Sequence, residues 1–278
     1  MNDETNQIPR SQWPGARVLR NGYRVYWWLE IMLVLAFYGV YSAIRNGTEG
    51  ETASAFTNAR HLIRAERALG LYHEELLQDW ALHWQPLVVT MNYFYGSFHL
   101  FLTGLVGIWL FRRHADDYPL WRNTLLITTA LALVGFITWP LMPPRLLPAD
   151  YGFVDTLARY PTFWSFNSGA VSKISNQYAA MPSLHCAWAL WVACVCWPRV
   201  RSRAARVAAA AYPVLTVIAI VLTGNHYFLD AVGGFAILGV GYIVARAVTR
   251  AGRSPARERR TRPTGLNRTE DADEVPAH

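Results

Sequence analysis

Lysine is nearly absent from this chain: of its 26 basic residues, Lys173 is the one lysine and the rest are arginine. That skew fits the codon usage of a high-GC bacterial source and carries no functional signal. Cysteine is scarce too. Cys186, Cys194 and Cys196 fall within one apolar run with no second cluster to partner them, so neither a disulfide framework nor a metal site follows from spacing. They read as small buried hydrophobes. No internal repeat occurs, and nothing calls for a metal or an organic cofactor. The formal charge of +7 does not point to nucleic acid, because seven arginines crowd between Arg246 and Arg262, directly after the last apolar run. That placement suits a tail lying beside anionic lipid headgroups. The first apolar run also lacks a small-residue cleavage pattern, so it reads as a signal anchor rather than a removed leader.

What the chain has in quantity is apolar length. Hydrophobic residues make up 53% of 278, and they gather in uncharged runs of the roughly 20 residues that cross a bilayer as a helix. The runs lie at about 25–44, 87–111, 121–142, 182–197, 204–222 and 226–248. Tyr26, Trp27 and Trp28 sit where an interfacial aromatic belt would, and nearby Glu30 snorkels or pairs with Arg24. Between the first two runs, Phe56, Ala59, Leu62, Ile63 and Leu69 recur at helical spacing with Arg60, Arg64 and Arg67 between them. Gly70 offers a stop, and Leu76, Leu77 and Trp80 continue a second amphipathic piece. Such segments lie along a membrane plane. The fold class expected is therefore an all-α integral membrane protein: a six-transmembrane-helix bundle with an interfacial amphipathic helix between spans one and two. Residues 1–22 and 250–278 read as disordered cytoplasmic tails around a single domain of 23–249, and 149–177 as a long aperiodic loop.

Six spans put both termini on one side, and arginine says which. Nineteen basic residues fall on the side of the termini and seven on the other, so the termini are expected in the cytoplasm of a multi-pass cell-membrane protein. Arg145 follows span three, His185 opens span four and His226 opens span six, so all three are expected at the extracytoplasmic face.

The residues at that face suit phosphate chemistry. Pro182 fits the first turn of a helix, and the N–H groups of Ser183, Leu184 and His185 would then form an anion site. His185 there can hand a proton to a leaving oxygen, although an interfacial histidine capping its helix would look the same. His226 and Asp230 are four apart and can touch on one helix face. A carboxylate holding one ring nitrogen leaves the other free as a nucleophile and stabilises the cationic ring formed on attack; a purely structural His–Asp hydrogen bond is the alternative. Arg145, held between prolines, offers a planar fork for phosphate oxygens. Asn92, Tyr95, His99 and Thr103 recur at +3, +4 and +4 along span two, a polar stripe that lines a headgroup pocket or makes a helix–helix hydrogen bond.

Met181-Pro-Ser-Leu-His185 resembles the Pro-Ser-Gly-His motif of the type 2 phosphatidic acid phosphatase superfamily, and Asn225-His226-x-x-x-Asp230 is similar to the end of its third motif. More narrowly, Pro143-Pro-Arg-Leu-Leu-Pro148 and Ala179-Ala-Met-Pro-Ser-Leu-His-Cys-Ala-Trp188 resemble the inositol-phosphotransferase branch, which includes the inositol phosphorylceramide synthases. The resemblance covers about 55–248. It implies His226 as the nucleophile forming a phosphohistidine, Asp230 orienting it, His185 as general acid and then base, and no metal. Two positions depart from the wider pattern: Thr138 stands where a lysine is expected and Ile220 where an arginine is expected. Phosphate contacts then rest on Arg145, the Ser183 helix start, Asn225 and Lys173. The expected function is a lipid phosphotransferase or phosphatase. Its partners are a phospholipid or prenyl-phosphate substrate, the membrane, and water or a polyol such as inositol as acceptor. A proton-coupled transporter is the reading from another class, disfavoured by the absence of repeated halves and broken mid-membrane helices. A vanadium-type haloperoxidase shares such a phosphate site but is usually soluble.

Overall fold

The computed structural model describes residues 16–19, 24–47, 52–160, 162, 178 and 180–251. They form a mostly helical protein. A two-stranded antiparallel ribbon, β1 (Ala16–Val18) and β2 (Arg24–Tyr26), leads into α1 (Trp27–Gly47). β1 falls inside the stretch read from the sequence as disordered. Next come α2 (Thr52–Ala68), α3 (Glu74–Leu82), α4 (Gln85–Tyr93), α5 (His99–Arg113) and α6 (Tyr118–Thr138). The short α7 (Thr156–Arg159) is followed by α8 (Leu184–Cys196), α9 (Arg203–Leu222) and α10 (Phe228–Ala251). A π-helical turn, Phe94–Phe98, joins α4 to α5 without a break.

Among the described residues, four helices are long and apolar enough to cross a membrane: Gln85–Arg113, Tyr118–Thr138, Arg203–Leu222 and Phe228–Arg250. Two shorter apolar stretches, Trp27–Val40 in α1 and Leu184–Cys196, correspond to the first and fourth expected spans. The bundle centre is α10, which packs along α6 and α8, with α8 also against α9 and α5. Glycine makes this closeness possible. A Cβ on Gly234 would lie 2.3 Å from the Ser183 carbonyl oxygen, and one on Gly241 2.3 Å from the Thr128 hydroxyl oxygen. At one end of the bundle Glu30 is bound by Arg122 and by the Tyr118 hydroxyl at 3.1 Å, and Asp117 pairs with Arg199 at 2.7 Å. Arg122 is a partner for Glu30 that the sequence did not suggest.

The opposite end is closed by α2 and α3. α2 buries Ala55, Ala59, Leu62 and Ile63 against Leu141, Met142, Leu147, Phe153 and Tyr227. Asn58 donates to the Pro140 carbonyl at 2.8 Å, and the Tyr227 hydroxyl to that of Met142 at 3.1 Å. Gly70, at φ +68°, ends α2 as expected, with the Leu71 N–H reaching back to the Glu66 carbonyl at 2.8 Å in a Schellman closure.

Leu69, Leu76 and Trp80 are 64%, 68% and 57% exposed, whereas Glu66, Glu74 and Gln78 are buried, so this pair of helices turns an apolar edge away from the bundle. The stripe's inward continuation after Ile63 is Glu66, and α3 turns its polar edge inward. The reason is hydrogen-bond supply. Backbone donors beneath these helices need acceptors, and apolar side chains can face outward where the surroundings are themselves apolar.

Asn92, on α4, is fully buried and knits three segments together. Its Nδ2 donates to the Thr156 carbonyl at 2.9 Å, and its Oδ1 accepts from the Thr156 hydroxyl, which also lies 3.0 Å from the Thr223 carbonyl. Asn92→Ala removes both links between α4 and Thr156 and is expected to cost about 1–3 kcal/mol. A lowered thermal midpoint in detergent would show it; an unchanged midpoint would mean the network contributes nothing.

Candidate active site

Two helix ends build the site. α9 closes at Gly224, whose φ of +67° permits the Asn225 N–H to bond back to the Ile220 carbonyl at 2.9 Å. The chain is thereby turned so that Asn225 and His226 stand at the mouth of the bundle before α10 begins at Phe228. His226 therefore precedes the helix instead of sharing its face with Asp230, and the contact between them is made differently from the sequence argument. Asp230 reaches back like the acidic member of a capping box. Its Oδ2 accepts the Tyr227 N–H at 3.0 Å and faces His226 Nδ1 at 3.2 Å. A carboxylate accepts, so Nδ1 carries the proton and Nε2 keeps its lone pair. Asp230 is fully buried and His226 nearly so.

α8 begins at Leu184 with Ser183 as its cap. Pro182 lies outside the helix, not in its first turn, and wedges between Gly135 of α6 and Gly233 of α10. The Ser183 N–H, expected to face an anion, donates to the Asp230 carbonyl at 3.0 Å, and the Ser183 hydroxyl oxygen accepts from the Cys186 N–H at 3.5 Å. Of the three helix-start N–H groups expected to face an anion, that of Ser183 is thus already taken. The Ser183–Asp230 bond also couples the two helix starts, so the two histidines are placed by one shared backbone contact.

The rings converge. The His185 and His226 centroids are 5.5 Å apart, edge to face. Tyr95 stacks on His185 at 4.3 Å and meets His226 edge-on at 6.3 Å. His99 lies 4.1 Å from His185 and 5.8 Å from Trp188. Tyr95 sits in the π-helical turn, whose extra residue re-aims side chains, a device that recurs at functional sites. Of the polar stripe, Tyr95 and His99 therefore stand against the two site histidines, while Asn92 lies in the Thr156 network and Thr103 is buried.

Arg145 approaches from the segment after α6. Its backbone N–H donates to the Gly224 carbonyl at 2.8 Å, its Nε to Asn225 Oδ1 at 3.0 Å and its Nη1 to Asp155 Oδ2 at 2.9 Å. Asn225 is held in turn by the Thr223 hydroxyl at 2.8 Å. The guanidinium is thus fixed on two edges beside His226, and among the described residues no acceptor takes Nη2. Lys173 lies outside the described residues.

Several participants escaped the sequence reading. Asp155 both caps α7, accepting from Leu157 and Ala158 N–H, and clamps Arg145. An Asp-Thr pair before a short helical stretch is a capping signal, but nothing local shows which cation it meets. Glu66 and Glu74 are the other two. Glu66 Oε1 accepts the Leu229 N–H at 2.7 Å, and Glu74 Oε1 the Phe228 N–H at 3.0 Å. The available signal for Glu66 was its phase: it continues the spacing of Ala55, Ala59 and Leu62.

A nucleophilic nitrogen, a second imidazole within one phosphate's reach, a clamped guanidinium and a helix start make an arrangement able to take a phosphoryl group from one oxygen to another. No curated protein and no solved structure matches the chain. A family model does, over residues 60–244, a span holding all of the residues just described, and by that match the chain belongs to the PAP2 superfamily, whose members are phosphoesterases.

Proposed function

We propose that this protein is a membrane-embedded lipid phosphotransferase or phosphatase working through a phosphohistidine on His226. The observation that carries the reading is the buried His226–Asp230 contact at 3.2 Å with His185 facing it at 5.5 Å. His226 Nε2 attacks phosphorus, the bond from phosphorus to the lipid oxygen breaks, and protonated His185 gives its proton to that oxygen. His185, now neutral, takes a proton from an acceptor hydroxyl. The acceptor oxygen attacks phosphorus, the P–N bond breaks and His226 is restored. Asp230 holds Nδ1–H and offsets the charge of the phosphorylated ring. Arg145 Nη2 and the N–H groups at the α8 start bind the non-bridging oxygens. Asn225 serves them by fixing Arg145, and Ser183 by capping the helix that carries the donors. Lys173 remains a candidate on sequence grounds. Tyr95 and His99 form the pocket wall, with the acceptor entering beside partly exposed His185.

The wording around Arg145 and His185 favours transfer to a polyol such as inositol, the chemistry of the inositol-phosphotransferase branch; with water as acceptor the same site hydrolyses. Purified protein in detergent, given labelled phosphatidylinositol, phosphatidate or prenyl diphosphate, is expected to turn over at least one of them. His226→Ala should abolish turnover, and Asp230→Asn should lower it by several orders of magnitude, as loss of the orienting carboxylate does in comparable triads, about 10⁴-fold. Full turnover of either variant on every substrate would refute the mechanism. Inositol-containing product identifies transfer, and free phosphate identifies hydrolysis.

For topology we infer six spans, cytoplasmic termini and an extracytoplasmic site. The arginine asymmetry supports this, as does the outward apolar edge of α2 and α3, which suits helices lying in an interface. α8, at 13 residues and 1.5 Å each, is about 20 Å long against a hydrocarbon core of about 30 Å. A helix that short, enclosed by α5, α6, α9 and α10, would set His185 below the outer surface, at a depth that lipid phosphates can reach. A cysteine at Asp150 in a chain freed of its own cysteines should react with an impermeant maleimide on intact cells. Reaction only after permeabilisation would reverse the orientation.

A further inference from the structure

Glu66 and Glu74 are both fully buried, an uncommon state for carboxyls and a costly one unless each oxygen is satisfied. Each uses Oε1 on a backbone N–H at the start of α10, and each leaves Oε2 buried without a donor. Their Oε1 atoms sit on the N–H groups of consecutive residues, which brings the two carboxyls to one place, and both orphaned Oε2 atoms are buried there. Two carboxylates have four acceptor oxygens and no hydrogen between them, so it takes a proton on one of the two to join them. The remaining groups facing the pair are Asp230, Tyr227 and Tyr72, with Arg67 stacked over the Tyr72 ring at 4.7 Å. Among the described residues no cation directly faces the two carboxyls, so a proton is the available way to keep two negative charges from meeting there.

We propose that Glu66 and Glu74 share one proton and, as a joined pair, are positioning residues for the phosphohistidine chemistry: they fix the first turn of α10 and through it His226 and Asp230. The geometry is direct. Phe228 and Leu229, the two residues they bind, lie between His226 and Asp230 in the chain, so any displacement of that turn changes the 3.2 Å contact. The pair reaches α10 from two different helices, α2 and α3. Burial, the adjoining Glu74 carboxyl and the neighbouring charges push the Glu66 carboxyl from 4.5 up to about 9. A folded-state value above the unfolded one means stability that is full below pH 4.5 and declines as pH rises to about 9. Above that, the shared proton leaves the folded protein, two adjacent charges repel, and the turn loosens.

The proposal rests on the proposed function only for its catalytic readout, so two measurements separate the two. The first is the thermal midpoint of the purified protein in detergent between pH 5 and pH 10, which needs no substrate. Glu66→Gln replaces the acid proton by an amide donor while keeping an acceptor for Leu229, so the native decline toward pH 9 should flatten in this variant. An unchanged decline would overturn the shared proton whatever the activity. The second is turnover of whichever labelled phosphoester the native protein processes. Glu66→Ala should lower kcat about 10²-fold, as a displacement near 1 Å does, with KM little changed. Glu66→Gln should restore most of that kcat and lose the alkaline limb near pH 9. Glu66→Ala with native kcat would overturn the positioning role. If Glu66→Ala does not fold, Glu74→Gln, which also keeps an acceptor and adds a donor, takes its place: it should hold native kcat at pH 7 and lack the alkaline limb, and a native alkaline limb would refute the pair. If native protein turns over nothing, the thermal arm still decides the shared proton.

Discussion

The start of α10 presents three backbone N–H groups that no carbonyl within the helix can take, and three carboxyl groups from separate places in the chain take them. Asp230 accepts from Tyr227, Glu74 from Phe228 and Glu66 from Leu229. The N-terminal end of a helix dipole attracts negative charge, so this is a favourable place for carboxyls. In a phosphate-handling protein it is also a place that phosphate would occupy. Filling it with fixed side chains leaves the start of α8 as the open helix terminus, and the Ser183–Asp230 backbone bond sets the distance between the two.

The rest of the outer end follows from holding that turn still. α2 ends its buried stripe on Glu66 and α3 buries the edge that carries Glu74 and Gln78, while Leu69, Leu76 and Trp80 face outward. Gly224 and Gly234 are glycines for steric reasons tied to the same turn. One allows the left-handed residue that ends α9, and the other lets α10 come within contact of the Ser183 carbonyl. Arg145 is drawn in by Gly224 through its backbone and by Asn225 and Asp155 through its side chain, so Arg145 and His226 share one short stretch of chain as their reference.

The sequence carried more of this than its composition suggests. Apolar run length marked the four long helices, and helix-start histidines flagged His185 and His226 as a pair. The His226–Asp230 contact was anticipated, but through a shared helix face, when the structure makes it through a back-reaching cap. What stayed hidden was every partner remote in sequence. Nothing near Asp155 indicates Arg145, and nothing near Glu74 indicates Phe228, because such pairings are decided by how helices stack. The inward polar edge of α3 stayed hidden for a different reason: an amphipathic pattern shows that two faces differ, not which of them meets the rest of the fold. Lys173 and most of the 149–177 loop lie beyond the described residues.

The account's central claim is that His226 becomes covalently phosphorylated. Protein rapidly quenched during turnover of a labelled phosphoester, then digested under alkaline conditions that preserve phosphoramidates, can be read by mass spectrometry. The account predicts a phosphoryl group on the peptide bearing His226, stable to base, lost in acid, and absent from His226→Ala. A phosphoryl group on another residue, or turnover with unmodified His226 under conditions that trap the intermediate, would contradict it.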